Sequence, residues 1–189
     1  MITNTIIKII DFIPAMLERF RTYMLRKKMH LNNTIQLCSN VSISHYKNVF
    51  IDNYVYLGQG LKISSQGRVK IGKGTIFGPN VTIYSANHKF RGADAIPFDE
   101  CIEKKEVEIG ENCWIGGNVI IVPGAKIGEG CILGAGSVVS GIIEKYSIVV
   151  GNPCKVIGYR DENEYLKLKR EDKILLKIRQ EKNNVKFKQ

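Results

Sequence analysis

Ile109–Val139 reads IGENCWIGGNVIIVPGAKIGEGCILGAGSVV, and in it an aliphatic residue returns at every sixth position: Ile109, Ile115, Ile121, Ile127, Leu133 and Val139. Glycine follows four of these six, at Gly110, Gly116, Gly128 and Gly134. Four residues after the aliphatic stands a small or modest side chain, as at Cys113, Val119, Ala125, Cys131 and Ser137. A period of six matches neither the 3.6 of a helix nor the 2 of a sustained amphipathic strand. It fits a short strand and a turn, repeated. The aliphatic points inward onto its counterpart in the next coil, and glycine lets the chain turn without a Cβ clash. Three such units close a triangular coil of eighteen residues, and successive coils stack about 4.8 Å apart like parallel strands. Cys113 and Cys131 then lie one above the other, as small hydrophobes filling an inward corner.

Outward from this stretch the period reappears in Ile51, Leu57, Ile63 and again in Ile71, Phe77, Ile83. Two extra residues near Ser64–Gly67 offset these runs and predict a bulged corner. Between Ile83 and Ile109 the repeat fails for 25 residues, Tyr84–Glu108. A solenoid must extrude such an insertion from its wall, and extruded loops commonly carry function. Apolar residues at helical spacing (Ile6, Ile10, Ile13, Leu17, Phe20, Met24) predict a helix over 5–28, with Pro14 a kink or boundary. A basic helix is expected over 161–182, with Leu168, Leu175 and Ile178 on one face. Both helices are expected to cap open ends of the coil stack. The organisation is thus a helical segment over 1–30, a repeat domain over 31–158 with an extruded loop at 84–108, and a basic tail over 159–189.

Composition bounds the partners. Hydrophobic residues make up 44% and charged residues 24%, as in a globular chain. The net charge of +10 is uneven: residues 1–30 hold six Lys/Arg against two acids, 159–189 ten against six, and 31–158 twelve against ten. A nearly neutral centre argues against a nucleic-acid-binding core. Basic ends are ordinarily solvated helices, and the sharper reading is attraction to an anionic membrane surface or polyanionic substrate. Five cysteines without a CxxC pair give neither a disulfide framework nor a zinc site, and fit reduced thiols in the cytoplasm. The apolar run Ile6–Ile13 is broken by Lys8 and Asp11 and reads as neither a signal peptide nor a transmembrane span.

The segments WIGG at Trp114–Gly117, GAGSVV at Gly134–Val139 and GNPCKVI at Gly151–Ile157, with IGKGTIFGPNVTIYSANH at Ile71–His88, resemble the hexapeptide-repeat acyltransferases. The likeness is to the galactoside and maltose acetyltransferase branch and its relatives that O-acetylate bacterial surface polysaccharides, and it covers roughly residues 40–158. The resemblance implies a left-handed parallel β-helix, a hand the period alone does not fix. It also implies a homotrimer with active sites between subunits and acetyl-CoA along the helix wall. Flat prism faces are compatible with three-fold closure.

Within that resemblance His88 stands where the family has its catalytic histidine, and an imidazole titrating near neutrality suits proton removal from a sugar hydroxyl. Asp94, Asp99, Glu100 or a backbone carbonyl are candidates to orient it. Gly116 and Gly117 correspond to the wall that donates a backbone N–H to the tetrahedral intermediate, with Gly117 where relatives have serine. Ala135 and Ser140 match coenzyme contacts, and Gly141 stands where many relatives carry lysine. Lys155 occupies a basic position that meets coenzyme phosphate, Gly158 replaces the next one, and Arg160 is placed to substitute for it. Trp114 lines the coenzyme or acceptor cleft or caps a corner. On the acceptor side the resemblance points to Ser44, Gln66 and Asn87, although Gly58 and Gln66 replace the asparagine and aspartate that grip a galactoside.

The chain therefore reads as an acetyl-CoA-dependent O-acetyltransferase acting on a saccharide, lipid-linked in one version, with no metal. The alternatives are a small-molecule or amino-sugar acetyltransferase using the same His88, and an inactive structural β-helix. A γ-carbonic-anhydrase-like site needs three histidine ligands, and the chain has only His30, His45 and His88.

Overall fold

A computed structural model describes the backbone of residues 2–186 and the side chains of residues 13–183. The repeats wind into a parallel β-helix with three walls. The first wall stacks Gln36–Leu37, Tyr56–Leu57, Ile76–Phe77, Trp114–Ile115, Ile132–Leu133 and Ser147–Val150. The second stacks Ser42–Ser44, Lys62–Ser64, Thr82–Tyr84, Ile120–Ile121 and Val138–Val139. The third stacks Val49–Ile51, Val69–Ile71, Val107–Ile109, Lys126–Ile127 and Ile142–Ile143. The register is the one that a six-residue period requires, with Ile115 beside Phe77 and Leu133, and Ile121 beside Ile83 and Val139.

Strands of two or three residues have little pairing of their own, so stability comes from the column of inward side chains. Leu57, Phe77, Ile115, Leu133, Ile83 and Ile121 are buried at 0–1% exposure, each contributing about 1.5–3 kcal/mol of apolar burial. Cys113 and Cys131 sit in the predicted column, both buried, and desolvation pushes the Cys113 thiol up to about 12. The corners leave no room on their inner side. A Cβ on Gly78 would stand 2.7 Å from the Gly117 nitrogen, so glycine is needed there for stacking rather than for its backbone angle.

Coil length varies at one corner only. Coils through Leu37, Leu57 and Phe77 repeat every twenty residues, those from Ile115 to Leu133 every eighteen, and the last, to Val149, after sixteen. The extra residues fall between the second and third walls, as predicted near Ser64–Gly67. There, buried Ser65 donates its hydroxyl to the Ser44 carbonyl, and Ser85 Oγ donates to the Gly67 carbonyl at 2.9 Å. From the same corner the 84–108 segment leaves the prism as an antiparallel hairpin of Ala86–His88 and Ile102–Lys104.

The N-terminal helix, α1 (Ile2–Lys28), closes the open first coil, as expected. Leu25, Met29 and Leu31 pack on the core, the Glu18 carboxylate accepts from the Asn40 N–H, and Arg26 donates to the Asn32 and Ile35 carbonyls at 2.8 and 2.7 Å. The helix continues through Pro14. Ile6 and Ile10 lie outside the described side chains.

The C-terminal expectation needs correction twice. The single helix is two, α2 (Glu162–Arg170) and α3 (Leu175–Lys186), broken where Asp172 takes φ +52°. They also do not cap the last coil. Lys155–Tyr159 reverses direction and pairs antiparallel with Ser147–Val150, which turns the chain back along the first wall. The helices then form a lateral strap, tied successively to Glu129, Asn112, Lys73 and Thr34. The physical reason is charge and length: Lys169 reaches Glu111 and Glu129, Asp172 reaches Lys73, and α3 carries Gln180 to the first coil.

Truncating a central rung tests this account of stability. Ile121→Ala is expected to cost about 2–5 kcal/mol in chemical denaturation. Ile142→Ala, at a side chain 77% exposed, is expected to change stability by less than about 0.5 kcal/mol.

Candidate active site

Side chains that face outward from a triangular prism have two kinds of place, wall centres and corners, and most of the candidate residues lie at the corners or in what leaves them, Trp114 being on a wall. Along the corner between the second and third walls the register stacks Ser44, Ser64 and Tyr84; Gln66 lies in the turn after Ser64, and Asn87 and His88 in the hairpin that leaves after Tyr84. Ser44 Oγ accepts from the Ser65 N–H at 3.3 Å and lies 3.4 Å from His45 Nδ1. Asn48 Nδ2 donates to the Ser65 and Gln66 carbonyls at 2.8 and 3.0 Å, which fixes the turn beside Gln66. Two coils further along the same corner stand Ser140 and Gly141, both exposed, Gly141 at φ +68°.

His88 ends the first strand of the hairpin, opposite Ile102, and is exposed. Its ring stacks on Phe98, with centroids 4.0 Å apart and planes at 20°. Asp94, Asp99 and Glu100, the candidates to orient it, make no hydrogen bond to it among the described residues. Asp99 is occupied otherwise: its carboxylate accepts from the Cys101 N–H at 2.8 Å and pairs with Lys89 at 3.4 Å. Desolvation opposes ionisation of Asp99, but the Cys101 N–H and the Lys89 ammonium outweigh it and hold the carboxyl below its usual value. Asp99 therefore pins the loop end of the hairpin ladder, and Phe98 is the contact that fixes the imidazole plane. Phe98 was invisible in the sequence because the stack depends on hairpin register across ten residues.

Gly116, Gly117 and Ala135 occupy a different corner, between the first and second walls. The Gly117 and Ala135 N–H groups make no hydrogen bond among the described residues, whereas their neighbours Gly116 and Gly136 donate to the Leu133 and Gly117 carbonyls. Two free donors on adjacent coils, about 4.8 Å apart, suit the carbonyls of an extended acyl-pantetheine arm. Gly117 packs on Pro79, whose ring carbons would lie 3.2 Å from an added Cβ, so a serine here requires the proline to yield. Lys155 is exposed and starts the reversed strand beside this corner. Arg160 ends up at the opposite edge of the first wall, donating to the Gly130 carbonyl at 2.7 Å with its guanidinium over Tyr165. It does not stand beside Lys155, so the two do not form one phosphate cluster within a chain.

Trp114 lies on the first wall, where the strap encloses an apolar cavity of about 500 Å³ with Tyr56, Ile76, Leu168 and Leu175 in its lining and Arg160 and Arg179 at its edge. The strap depends on Glu129, which receives Tyr165 Oη at 2.9 Å and pairs with Lys169. Among the described residues no group of three or more His, Cys, Asp or Glu is placed to hold a metal ion.

Residues 106–141 match the family described as bacterial transferase hexapeptide (six repeats). The chain is 38% identical over 117 residues to a putative acetyltransferase of Saccharomyces cerevisiae, covering 58% of this chain and 55% of that protein. It is 35% identical over 116 residues to the galactoside O-acetyltransferase of Lactococcus lactis, covering 58% and 52%. It thus spans about half the length of the curated relatives it matches. Among solved structures it is similar to a hexapeptide-repeat acetyltransferase of Vibrio cholerae complexed with acetyl coenzyme A, with a TM-score of 0.68 at 23% identity over 77% of this chain and 80% of that one. A maltose O-acetyltransferase from Clostridium difficile 630 gives a TM-score of 0.51 at 27% identity, over 78% and 88%. The β-helix is therefore the fold of hexapeptide-repeat acetyltransferases.

The strap makes a pH-dependent signal at the single tryptophan. Burial pushes the Glu129 carboxyl up, but Lys169 and the Tyr165 hydroxyl outweigh it, and its pKa lies below the ordinary 4.5. A carboxylate depressed on folding stabilises the fold above its unfolded value and loses that contribution as pH falls through the folded one. Trp114, already 55% exposed, is accordingly expected to emit steadily at neutral pH and to show a small further red shift below pH 4.5. Glu129→Gln should weaken the strap already at neutral pH and flatten the transition. Emission unchanged from pH 7 to about 3 would remove this role for Glu129.

Proposed function

We propose that this chain, a member of the hexapeptide-repeat transferase family, transfers an acetyl group from acetyl-CoA to a saccharide hydroxyl, with His88 as the general base. The observation that carries this reading is the presence on one chain of an exposed histidine in the extruded hairpin and, at another corner, backbone N–H groups at Gly117 and Ala135 left without an acceptor among the described residues.

The chemistry balances on those groups. His88 takes the proton of the sugar hydroxyl as its oxygen attacks the thioester carbonyl. The carbonyl oxygen gains charge and accepts from the Gly117 or Ala135 N–H. As the intermediate collapses, the carbon–sulfur bond breaks, and the imidazolium returns its proton to the leaving coenzyme thiolate. The product is an acetyl ester and free coenzyme A. Phe98 restricts the ring during both proton transfers.

Within one chain the base and the donors stand at opposite edges of the second wall. Val81–Ser85 separates them by roughly 15 Å of extended backbone. This separation supports a homotrimer in which the hairpin of one copy meets the Gly117–Ala135 corner of the next. The exposed hairpin side chains Phe90 and Ile96, the latter 97% exposed, fit contact with a neighbour. Ser44, Gln66 and Asn87, at the corner from which the hairpin carries His88, are our acceptor contacts. Trp114, Gly116, Ser140, Gly141, Lys155 and Arg160 stay with the coenzyme, reached from two neighbouring copies rather than from one.

The acceptor is read as a sugar of a bacterial surface polysaccharide or O-antigen, consistent with the 35% identity to a galactoside O-acetyltransferase. Loss of the galactoside-gripping pair at Gly58 and Gln66 points to a different saccharide, carried on a lipid in a version that fits the basic chain ends. The cytoplasm is the compartment proposed, where five unpaired thiols stay reduced.

Thiol release from acetyl-CoA with a panel of sugars, oligosaccharides and amino sugars tests this directly. Acceptor-dependent release should fall by about a hundredfold or more in His88→Ala. Release that survives the substitution removes His88 as the base, and preference for amino over hydroxyl acceptors would replace O-acetylation with N-acetylation.

A further inference from the structure

Among the described residues, one face of α1 is left exposed by the fold. Glu18, Thr22, Leu25, Arg26 and Met29 turn toward the prism and are partly buried. At 100° per residue the opposite side carries Ile13, Met16, Leu17, Phe20, Tyr23 and Met24, all 47–61% exposed. Exposed Arg19 and Arg21 flank this stripe, with Lys27 over the Tyr23 ring at 5.5 Å. Residues 13–28 hold five Lys/Arg against a single acid, and that acid, Glu18, is turned inward to Asn40. No helix among the described residues is long and apolar enough to cross a membrane.

From these observations we infer that α1 is an interfacial helix that lays its Ile13–Met24 stripe onto an anionic lipid surface. A wide apolar stripe bordered by cations is the pattern of a helix lying in the headgroup plane. The cations draw it to negative lipid, and the apolar side chains give the insertion depth. The helix placement fits this occupant. Glu18 meets the first coil at Asn40, while Lys28 reaches across to Tyr46 at 4.6 Å, so the helix lies across the end of the prism. Its free face therefore points away from the prism end, as a flat base would.

A second copy of α1 is the competing occupant. Pairing two such faces brings two sets of unneutralised cations together, a repulsion that anionic lipid reverses. The inference does not rest on acetyl transfer, because binding is read without donor or acceptor.

The test is co-sedimentation of the full chain with vesicles of phosphatidylcholine alone and of phosphatidylcholine with phosphatidylglycerol. Partitioning into the anionic vesicles should exceed that into neutral ones by at least about tenfold, and should fall with added salt. Leu17→Glu/Phe20→Glu and, separately, Arg19→Glu/Arg21→Glu should each lose about tenfold or more. These side chains are exposed, so far-UV dichroism and acetyl transfer to a soluble acceptor should be unchanged. Equal partitioning into both vesicles, or variants that bind as the parent does, overturns the inference. So does a Leu17→Glu/Phe20→Glu chain that loses an assembled state, measured without lipid, because the stripe then belongs to a second copy.

Discussion

Up to the last strand, which pairs with Lys155–Tyr159, the wall strands hydrogen-bond to the coil above or below, and this single constraint shapes the rest of the molecule. A strand of two or three residues must place its N–H and C=O groups against those of its neighbours. Its inward side chain must also fill the prism beside identical positions one coil away. The column Leu57, Phe77, Ile115, Leu133, Val149 is the result. Nothing polar with a function can stand in that column without leaving an unpaired buried group. Chemistry is thereby expelled to the corners, to whatever the corners extrude, and to elements laid on from outside.

The corner between the second and third walls is where the constraint is relaxed. Its turn varies in length from coil to coil without disturbing the walls, because Ser65, Ser85 and Asn48 supply hydrogen bonds that a tighter turn would not need. A hairpin can therefore leave there, and it takes His88 with it. The two free N–H groups at Gly117 and Ala135 belong to a corner that cannot vary, where glycine stacks on glycine at under 3 Å of Cβ clearance. In the proposed reaction one corner supplies an adjustable base and the other a rigid pair of donors. The second wall keeps them apart in a single chain.

Much of this was legible in the sequence, for a reason that also marks the limit. The period of six is visible because each rung demands one aliphatic, and the bulged corner because it breaks that period by two. Hairpin and histidine are visible as the place where the repeat fails. The strap was misread because its position depends on pairs such as Lys73 with Asp172 and Thr34 with Gln180, which are 99 and 146 residues apart. Helical spacing in 161–182 contains no trace of them. The separation of Arg160 from Lys155 was equally illegible, because it follows from the reversal of Lys155–Tyr159 across the wall. Phe98 was missed because stacking on His88 follows from hairpin register and not from any local pattern.

The central claim is that the active site is completed between copies of the chain, and mixing two inactive variants tests it. His88→Ala removes the base and Ala135→Trp obstructs the donor corner, so each alone should be inactive. Co-refolded in equal amounts, a ring in which each site takes its histidine from one copy and its donor corner from the next should recover roughly a quarter of the parental activity. If the mixture stays as inactive as its components, base and donors act within one chain, and the account of the second wall as a separator is wrong.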